Sequence, residues 1–486
     1  MLSAMDDSAT LAPESPAATA AELARRTRIT ALIVACALFM QNLDSTVIST
    51  ALPTMARAFG EEPVHMNVAL TSYLLSLAVF IPTSGWIADR FGARRVFRAA
   101  IVVFTIGSVL CGLSDSLITL VGARILQGLG GAMMVPVGRL VLLRTVPKSE
   151  LVAAMAWLST PALLGPVLGP PVGGFIVTYF SWPLIFYINI PIGILGVTLV
   201  TLFVKDVSEP VYSKFDWRGL AFSAVALTSL LFGMETAGRG VVSQTITICA
   251  LSLGLVSGLA YWLHARSRVA PLIDLTLLRV RTFMVAVFAG TLFRIGIGAI
   301  PFLLPMMLQL TFDKSAAQSG LITFASSLGA LVMKPVATGT LRRFGFRDTL
   351  VLNGVVSTAM LAIMALFRPS WPVMLITGLL LTGGFFRSLQ FTAFNALAYA
   401  DITRPQMSSA TAFYATMQQV SVTIGVSVGA GALAVSMAFG GRGEPQLPDF
   451  TFAFLVVAAI TVLSVPASLM MPREAGTETS GHAGKA

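Results

Sequence analysis

The chain has 486 residues, 56% of them hydrophobic and only 11% charged, with a mean hydropathy of +0.83 and a formal net charge of +10. Soluble globular domains carry about 25% charged residues, so this composition excludes one and places the chain in lipid. The apolar residues fall in long runs, not alternating ten-residue segments, which excludes a β-barrel, and bases clustered at the ends of such runs serve membrane insertion, not nucleic-acid binding.

Residues Met1 to Ala24 are polar, rich in Ala, Pro, Ser and Thr, and lack the apolar core of a secretory signal. They are expected to form a disordered cytoplasmic tail over 1–29. A window of about 20 residues then finds fourteen candidate spans, starting near Thr30, Val64, Val96, Leu117, Leu151, Pro183, Gly219, Val242, Thr282, Ala316, Leu350, Pro372, Met407 and Phe450. An even number puts both chain ends on one side. Most of the 32 lysines and arginines fall on that side, which the positive-inside rule assigns to the cytoplasm of an inner-membrane protein. Between Leu151 and Val204 there is no Asp, Glu, Lys or Arg, and Phe180 to Pro183 breaks this stretch into two helices. The polar loop from Gly440 to Asp449 is expected to be flexible, from its Gly and Pro content.

Cys36, Cys111 and Cys249 sit inside apolar runs, where none reads as half of a disulfide or a metal site. His65, His264 and His482 lie in loops or the tail, which argues against a histidine proton relay. No cofactor or metal is expected. No Gly-x-x-x-x-Gly-Lys-Ser/Thr phosphate loop occurs, so ATP drive is unsupported and the chain is not expected to be an enzyme.

The second and third spans are joined by Gly85-Trp86-Ile87-Ala88-Asp89-Arg90-Phe91-Gly92-Ala93-Arg94-Arg95. Gly85 and Gly92 let two helices end and restart within a few residues, while Asp89, Arg90, Arg94 and Arg95 are held near helix ends. Leu341-Arg342-Arg343-Phe344-Gly345-Phe346-Arg347 repeats this loop in degenerate form, sharing the Arg-Phe-Gly triplet. The repeat predicts two six-helix bundles, over 30–204 and 271–472. Between them lies a linker and inserted hairpin over 205–270, and after them a cytoplasmic tail over 473–486. Parallel halves of this kind place a ligand site at their interface near the bilayer midplane.

Further motifs are Leu43-Asp44-Ser45-Thr46 in the first span, Arg124-Ile125-Leu126-Gln127-Gly128-Leu129-Gly130-Gly131 in the fourth, and Gly165-Pro166-Val167-Leu168-Gly169-Pro170-Pro171-Val172-Gly173-Gly174 in the fifth. With the Gly85 loop they resemble the major facilitator superfamily, and within it the fourteen-helix drug:proton antiporter branch of the EmrB/QacA type. Gly131 to Leu140 and Arg294-Ile295-Gly296 are most similar to MdtD/HsrA-type members. The resemblance implies an all-α fold of two six-helix bundles plus an inserted two-helix hairpin. It also implies proton-coupled export of small-molecule substrates by alternating access, and the substrate itself does not transfer with it. It makes the Gly85 loop a conformational latch between the halves and the fifth helix a segment associated with exchange or export, and it leaves room for an accessory periplasmic export partner. Independently, Gly165, Pro166, Gly169, Pro170, Gly173 and Gly174 lack either side chains or backbone donors, which suits a hinge and equally a close packing face.

Charges inside spans are functional candidates. Asp44 is the acid well inside a span of the first half, 16 residues beyond Arg28, or ~24 Å along a helix. Arg124, nine residues beyond Asp115, reaches comparable depth. A buried carboxylate beside an arginine can alternate between paired and protonated forms, so Asp44 is the expected proton carrier and Arg124 its modulator; a static ion pair is the competing reading. Gln41 and Asn42 could line the same cavity. In the second half Arg294, Lys334 and Arg387 lie within spans that contain no Asp or Glu, so they are expected to face a hydrated cavity, a partner or an anionic ligand. Lys334 could instead snorkel, and Arg387 could bond backbone carbonyls. Phe385, Phe386, Phe391 and Phe394 surround Arg387 and could stack on a planar substrate or simply pack. Arg139, five residues before Arg144, is expected to snorkel. Two substrate classes follow, cationic drugs and, from the three distal bases, anionic metabolites or their metal chelates. A membrane scaffold or sensor lacks any soluble signalling domain to support it.

Overall fold

A computed structural model describes residues 16–61, 66–204, 214–236 and 243–482. Every regular element in them is helical, as lipid demands of a chain that cannot leave backbone N–H and C=O groups unpaired. In the first half α1 (Pro16–Phe59) is followed by α2 (Asn67–Phe80), α3 (Ser84–Phe91), α4 (Ala93–Gly112), α5 (Leu117–Thr145), α6 (Leu151–Tyr179), α7 (Leu184–Tyr187) and α8 (Asn189–Phe203). The helix α1 thus starts inside the segment expected to be an irregular tail, whose residues 1–15 lie outside the described residues. An inserted pair follows, α9 (Trp217–Thr236) and α10 (Gln244–Arg266). The second half comprises α11 (Arg281–Leu310), α12 (Ala316–Met364), α13 (Val373–Ala400), α14 (Met407–Phe439), α15 (Leu447–Val462) and α16 (Ser464–Leu469), with a short α17 (Thr477–Ser480) in the tail.

Twelve helices among the described residues are long and apolar enough to cross a membrane. The longest, Gln318–Met364, is two arms broken at Gly345, whose φ of 70° lies in the left-handed region. Gly92 turns α3 into α4 with a φ of 87°. The same residue type therefore makes the same sharp reversal at both copies of the repeated loop, where a β-carbon would be strained.

Packing differs between the two ends of the molecule. On the face that carries Gly92, one apolar core runs through both halves, taking in Phe97, Leu140, Phe283, Leu341, Phe394 and Tyr414. Toward the opposite face the core divides. Leu43, Val47, Leu120 and Phe186 belong to the first half, and Leu303, Phe367, Phe450 and Phe454 to the second. The halves are thus closed together at the Gly92 face and separately packed at the other.

The tail also packs across both halves. Lys148 pairs with Glu478 at 3.1 Å, and the His482 ring lies 3.0 Å from the Arg342 carbonyl oxygen. The loop after α14 is tied down, contrary to its expected flexibility. Its Arg442 pairs with the fully buried Asp449 at 2.5 Å, and Ser436 Oγ donates to the same carboxylate at 2.6 Å.

The inserted pair lies with α9 against α2 of one half and α14 of the other. Its base is fastened by Asp216, which accepts from the Gly219 N–H at 3.0 Å and sits 2.8 Å from His264 Nε2 of α10. Burial works to raise the Asp216 pKa, but hydrogen bonds from His264 and Gly219 outweigh it and hold the carboxyl below its ordinary value. A group depressed on folding stabilises above its unfolded pKa, about 3.9 for Asp, and loses that contribution as pH falls through the folded value. Asp216→Asn should therefore lower the thermal midpoint at neutral pH, by an amount equivalent to about 1.5 kcal/mol for the loss of a hydrogen bond to a charged acceptor, and the gap from wild type should close below about pH 4. Unfolding curves in detergent across this range check it; a gap that persists at low pH would show that the carboxylate charge is not what matters.

Candidate functional site

Asp44 and Arg124 meet in the first half. Arg124 Nη1 donates to Asp44 Oδ2 at 2.6 Å, and the two residues are 0% and 2% exposed, Arg124 first. Asp44 Oδ1 accepts from Gln127 Nε2 at 2.8 Å and from Asn189 Nδ2 at 3.0 Å, and Asn189 Nδ2 also lies 2.8 Å from Ser108 Oγ. Arg124 further donates through Nε to the Ala69 carbonyl and through Nη1 to Gln127 Oε1, and its guanidinium stacks 4.3 Å from the centre of the Tyr73 ring. The carboxylate thus binds three donors carried by two further helices, α5 and α8. Arg124 and Gln127 reach it together because residues three apart share one helix face.

Small residues bring these helices close enough. A β-carbon on Gly107 would lie 2.7 Å from the Gln127 backbone, and one on Gly128 would lie 2.6 Å from Ser76 Cβ. Of the neighbours expected in this cavity, Gln41 keeps a buried Oε1 with no hydrogen-bond partner, as does the Tyr73 hydroxyl. Asn42 turns away, donating to its own helix at Leu38 O and packing against Gly165.

Gly165 and Gly169 of α6, the fifth expected span, form a close packing face toward α1. A β-carbon on Gly165 would lie 2.7 Å from Asn42 Cβ, and one on Gly169 would clash with Thr46 Oγ1. Gly173 is buried and Gly174 faces open space, while the side chains of Pro166 and Pro170 lie outside the described residues.

In the Gly92 loop, Asp89 pairs with Arg144 at 2.8 Å and also accepts from Ser408 Oγ on α14 of the other half. Gly85 allows this approach, since a β-carbon there would sit 2.8 Å from the Ser408 carbonyl oxygen. Arg94 donates to the Thr201 carbonyl within its own half, and Arg90 and Arg95 are exposed.

The distal bases are placed differently from one another. Lys334 is buried and does not snorkel, has no ion pair among the described residues, and donates to Thr392 Oγ1 at 3.2 Å. Arg387 is half-buried and bonds the Ser326 hydroxyl, not backbone carbonyls, and its Nη1 has no partner. Arg294 is 2% exposed, lies 4.8 Å from the centre of the Tyr414 ring, and has no hydrogen-bond partner at either Nη1 or Nη2. Its guanidinium occupies the space that a β-carbon at Gly290 would fill.

Arg139 does not snorkel. It is 5% exposed and crosses to the second half, donating to Gln418 Oε1 at 2.9 Å and Tyr399 Oη at 3.2 Å. Asn189, Ser108, Tyr73, Tyr399, Tyr414 and Gln418 likewise join these clusters without having been singled out from sequence. Uncharged polar residues are too common in membrane helices to stand out singly. Arg387-Ser388-Leu389-Gln390 repeats Arg124-Ile125-Leu126-Gln127 in the other half, but that repeat includes none of these six.

The profile described as "Major Facilitator Superfamily" matches residues 34–279 and 286–485. The chain belongs to the Major Facilitator Superfamily. It is a multi-pass membrane transporter of that superfamily and not an enzyme. Similar relatives carry the multidrug-resistance name MdtD. The one from Pectobacterium atrosepticum is 37% identical, over 90% of this chain and 93% of its own. The one from Escherichia coli is 39% identical, over 84% and 86%. Among solved structures, the facilitator fold is shared with the human organic anion transporter MFSD10 (TETRAN), at a TM-score of 0.64, 14% identity, and coverage of 91% of this chain and 99% of that one. The proton:xylose symporter XylE gives a TM-score of 0.65 at 15% identity, covering 94% and 99%.

Proposed function

We propose that this facilitator is a proton-coupled antiporter of the inner membrane that exports small organic molecules by alternating access, with both chain ends in the cytoplasm and fourteen spans. The fully buried Asp44–Arg124 pair carries this reading, because protonating Asp44 removes the charge that holds Arg124 and loosens the tie between α1 and α5. Proton uptake is thereby tied to helix movement. The fourteen-span count is supported by treating the arms on either side of Gly345 as two and adding the apolar α6, 29 residues long. With the Gly92 face toward the cytoplasm, the shared core on that face corresponds to a state closed inside. The MdtD name of the relatives favours drugs as the cargo.

A second reading makes the cargo an organic anion. The observation that favours it is Arg294, buried with both terminal nitrogens unpartnered, with Lys334, Arg387 and Gln41 as further candidate binding residues. Everted vesicles separate the two readings: proton release on adding quaternary-ammonium dyes supports a drug antiporter, release on adding organic carboxylates supports the anion reading, and release with neither sinks proton-coupled export of both classes.

The latch reading of the Gly92 loop makes its own demand. Asp89→Ala removes the acceptor shared by Arg144 and Ser408, and one loop carboxylate contributes little to orientation. Insertion should stay intact while the closed-inside state is depopulated; losing the one hydrogen bond that crosses to the other half, to a charged acceptor and worth about 1.5–3 kcal/mol, should move that equilibrium by about tenfold or more. Cysteine accessibility on the two faces reports it. Unchanged accessibility together with unchanged transport would reduce the loop to a topogenic role.

A further inference from the structure

We infer that Arg139 is the second cation of the anion-binding site that contains Arg294, and that it makes the site prefer dianions over monoanions. The inference rests on the organic-anion reading and deepens it. Arg139 comes from α5 of the first half and Arg294 from α11 of the second. Their guanidiniums lie 5.7 and 4.8 Å from the centre of one aromatic ring, that of Tyr414 on α14. Two like charges are thus gathered around one residue in the shared core of the two halves.

Neither arginine forms an ion pair among the described residues. The acceptors that hold Arg139, Gln418 and Tyr399, are neutral, and Gln418 is itself held by donating to Asn395 at 3.1 Å. Both arginines are more than nine-tenths buried. Donor capacity is left over on both guanidiniums and on the ring itself: Arg294 Nη1 and Nη2, Arg139 Nε and the Tyr414 hydroxyl are buried with no partner. Buried cations are ordinarily matched by a carboxylate, and here none is supplied among the described residues. An anion with two carboxylates satisfies both charges at once, one from each half. A monoanion is matched by Arg294 alone, whose two terminal nitrogens form a fork suited to one carboxylate.

This assignment separates binding from tethering. If Arg139 merely ties the halves together through Tyr399 and Gln418, its loss affects stability and conformation but does not distinguish one anion from another. If it binds ligand, its loss selectively weakens dianions.

The test is calorimetric titration of the purified full-length protein in nanodiscs with phthalate and succinate as dianions, and benzoate and butyrate as monoanions. Wild type is expected to favour the dianions. Arg139→Gln should weaken phthalate or succinate by about tenfold or more, the loss of one charge-assisted contact, and change benzoate and butyrate little; Arg139→Lys should recover part of the loss. Gln418→Glu guards against a folding defect. It puts a carboxylate where Arg139 already donates, and the Asn395 amide, which now accepts from Gln418, can turn to donate to it, so it should hold or raise the thermal midpoint yet weaken the dianions by a similar factor. Dianion binding at wild-type strength in both Arg139→Gln and Gln418→Glu would overturn the inference and leave the anion reading standing. A wild-type protein that binds none of the four probes would remove the anion reading and this inference with it.

Discussion

Asp44→Asn should fold, insert and still bind substrate, but lose accumulation driven by a pH gradient. One pH unit is worth about 1.36 kcal/mol per proton, which is a tenfold concentration ratio per coupled proton. With no titratable group at position 44 that ratio should fall toward unity. The substitution leaves Arg124 buried without its counter-charge, and breaking such a pair costs about 3–5 kcal/mol. Folding is nevertheless expected to survive, because the guanidinium keeps the Ala69 carbonyl, Gln127 Oε1 and the Tyr73 ring. The isosteric amide also keeps an oxygen for Asn189. Flux into proteoliposomes with and without an imposed gradient, beside binding on the same preparation, checks it. Full gradient-driven transport in the asparagine variant would leave the pair a static brace between α1 and α5.

Replacing Arg294 should move two substrate classes in opposite directions. An organic anion gains from the unpartnered guanidinium, and losing a charge-assisted bond costs more than ~1.5 kcal/mol, or about tenfold in affinity. A lipophilic cation is repelled by the same charge. Arg294→Ala should therefore weaken anion binding about tenfold or more and leave quaternary-ammonium export unchanged or improved, with Arg294→Lys as the charge-retaining control. An alanine variant that loses cation export while anion binding is untouched would move Arg294 into the structural or coupling machinery.

The three charged clusters differ in how far they could be read ahead of the structure. Asp44 and Arg124 were legible because a charge inside an apolar run is expensive, so two opposite charges at comparable depth point to one another. Their neighbours were not, since Asn189 and Ser108 carry no such penalty, and Asn189 reaches Asp44 from α8, and Ser108 reaches Asn189 from α4, only through helix packing. Arg139 misled for a physical reason. Its distance from Arg144 permits snorkelling, and nothing in its own helix reveals that Tyr399 and Gln418 of the other half lie against it.

Hydropathy and the basic loop ends determine from sequence that this chain is helical and membrane-embedded, because lipid penalises unpaired backbone and charge residue by residue, and the matching Gly92 and Gly345 loops point to two related halves. That information is local. Which faces of the helices meet is not: the closing of the halves over the Gly92 face, the Asp89–Ser408 contact and the gathering of Arg139 and Arg294 around Tyr414 depend on residues hundreds of positions apart. Only the tertiary structure decided them, because small-residue contacts such as Gly85 on Ser408 set helix spacing through the shape of both partners at once.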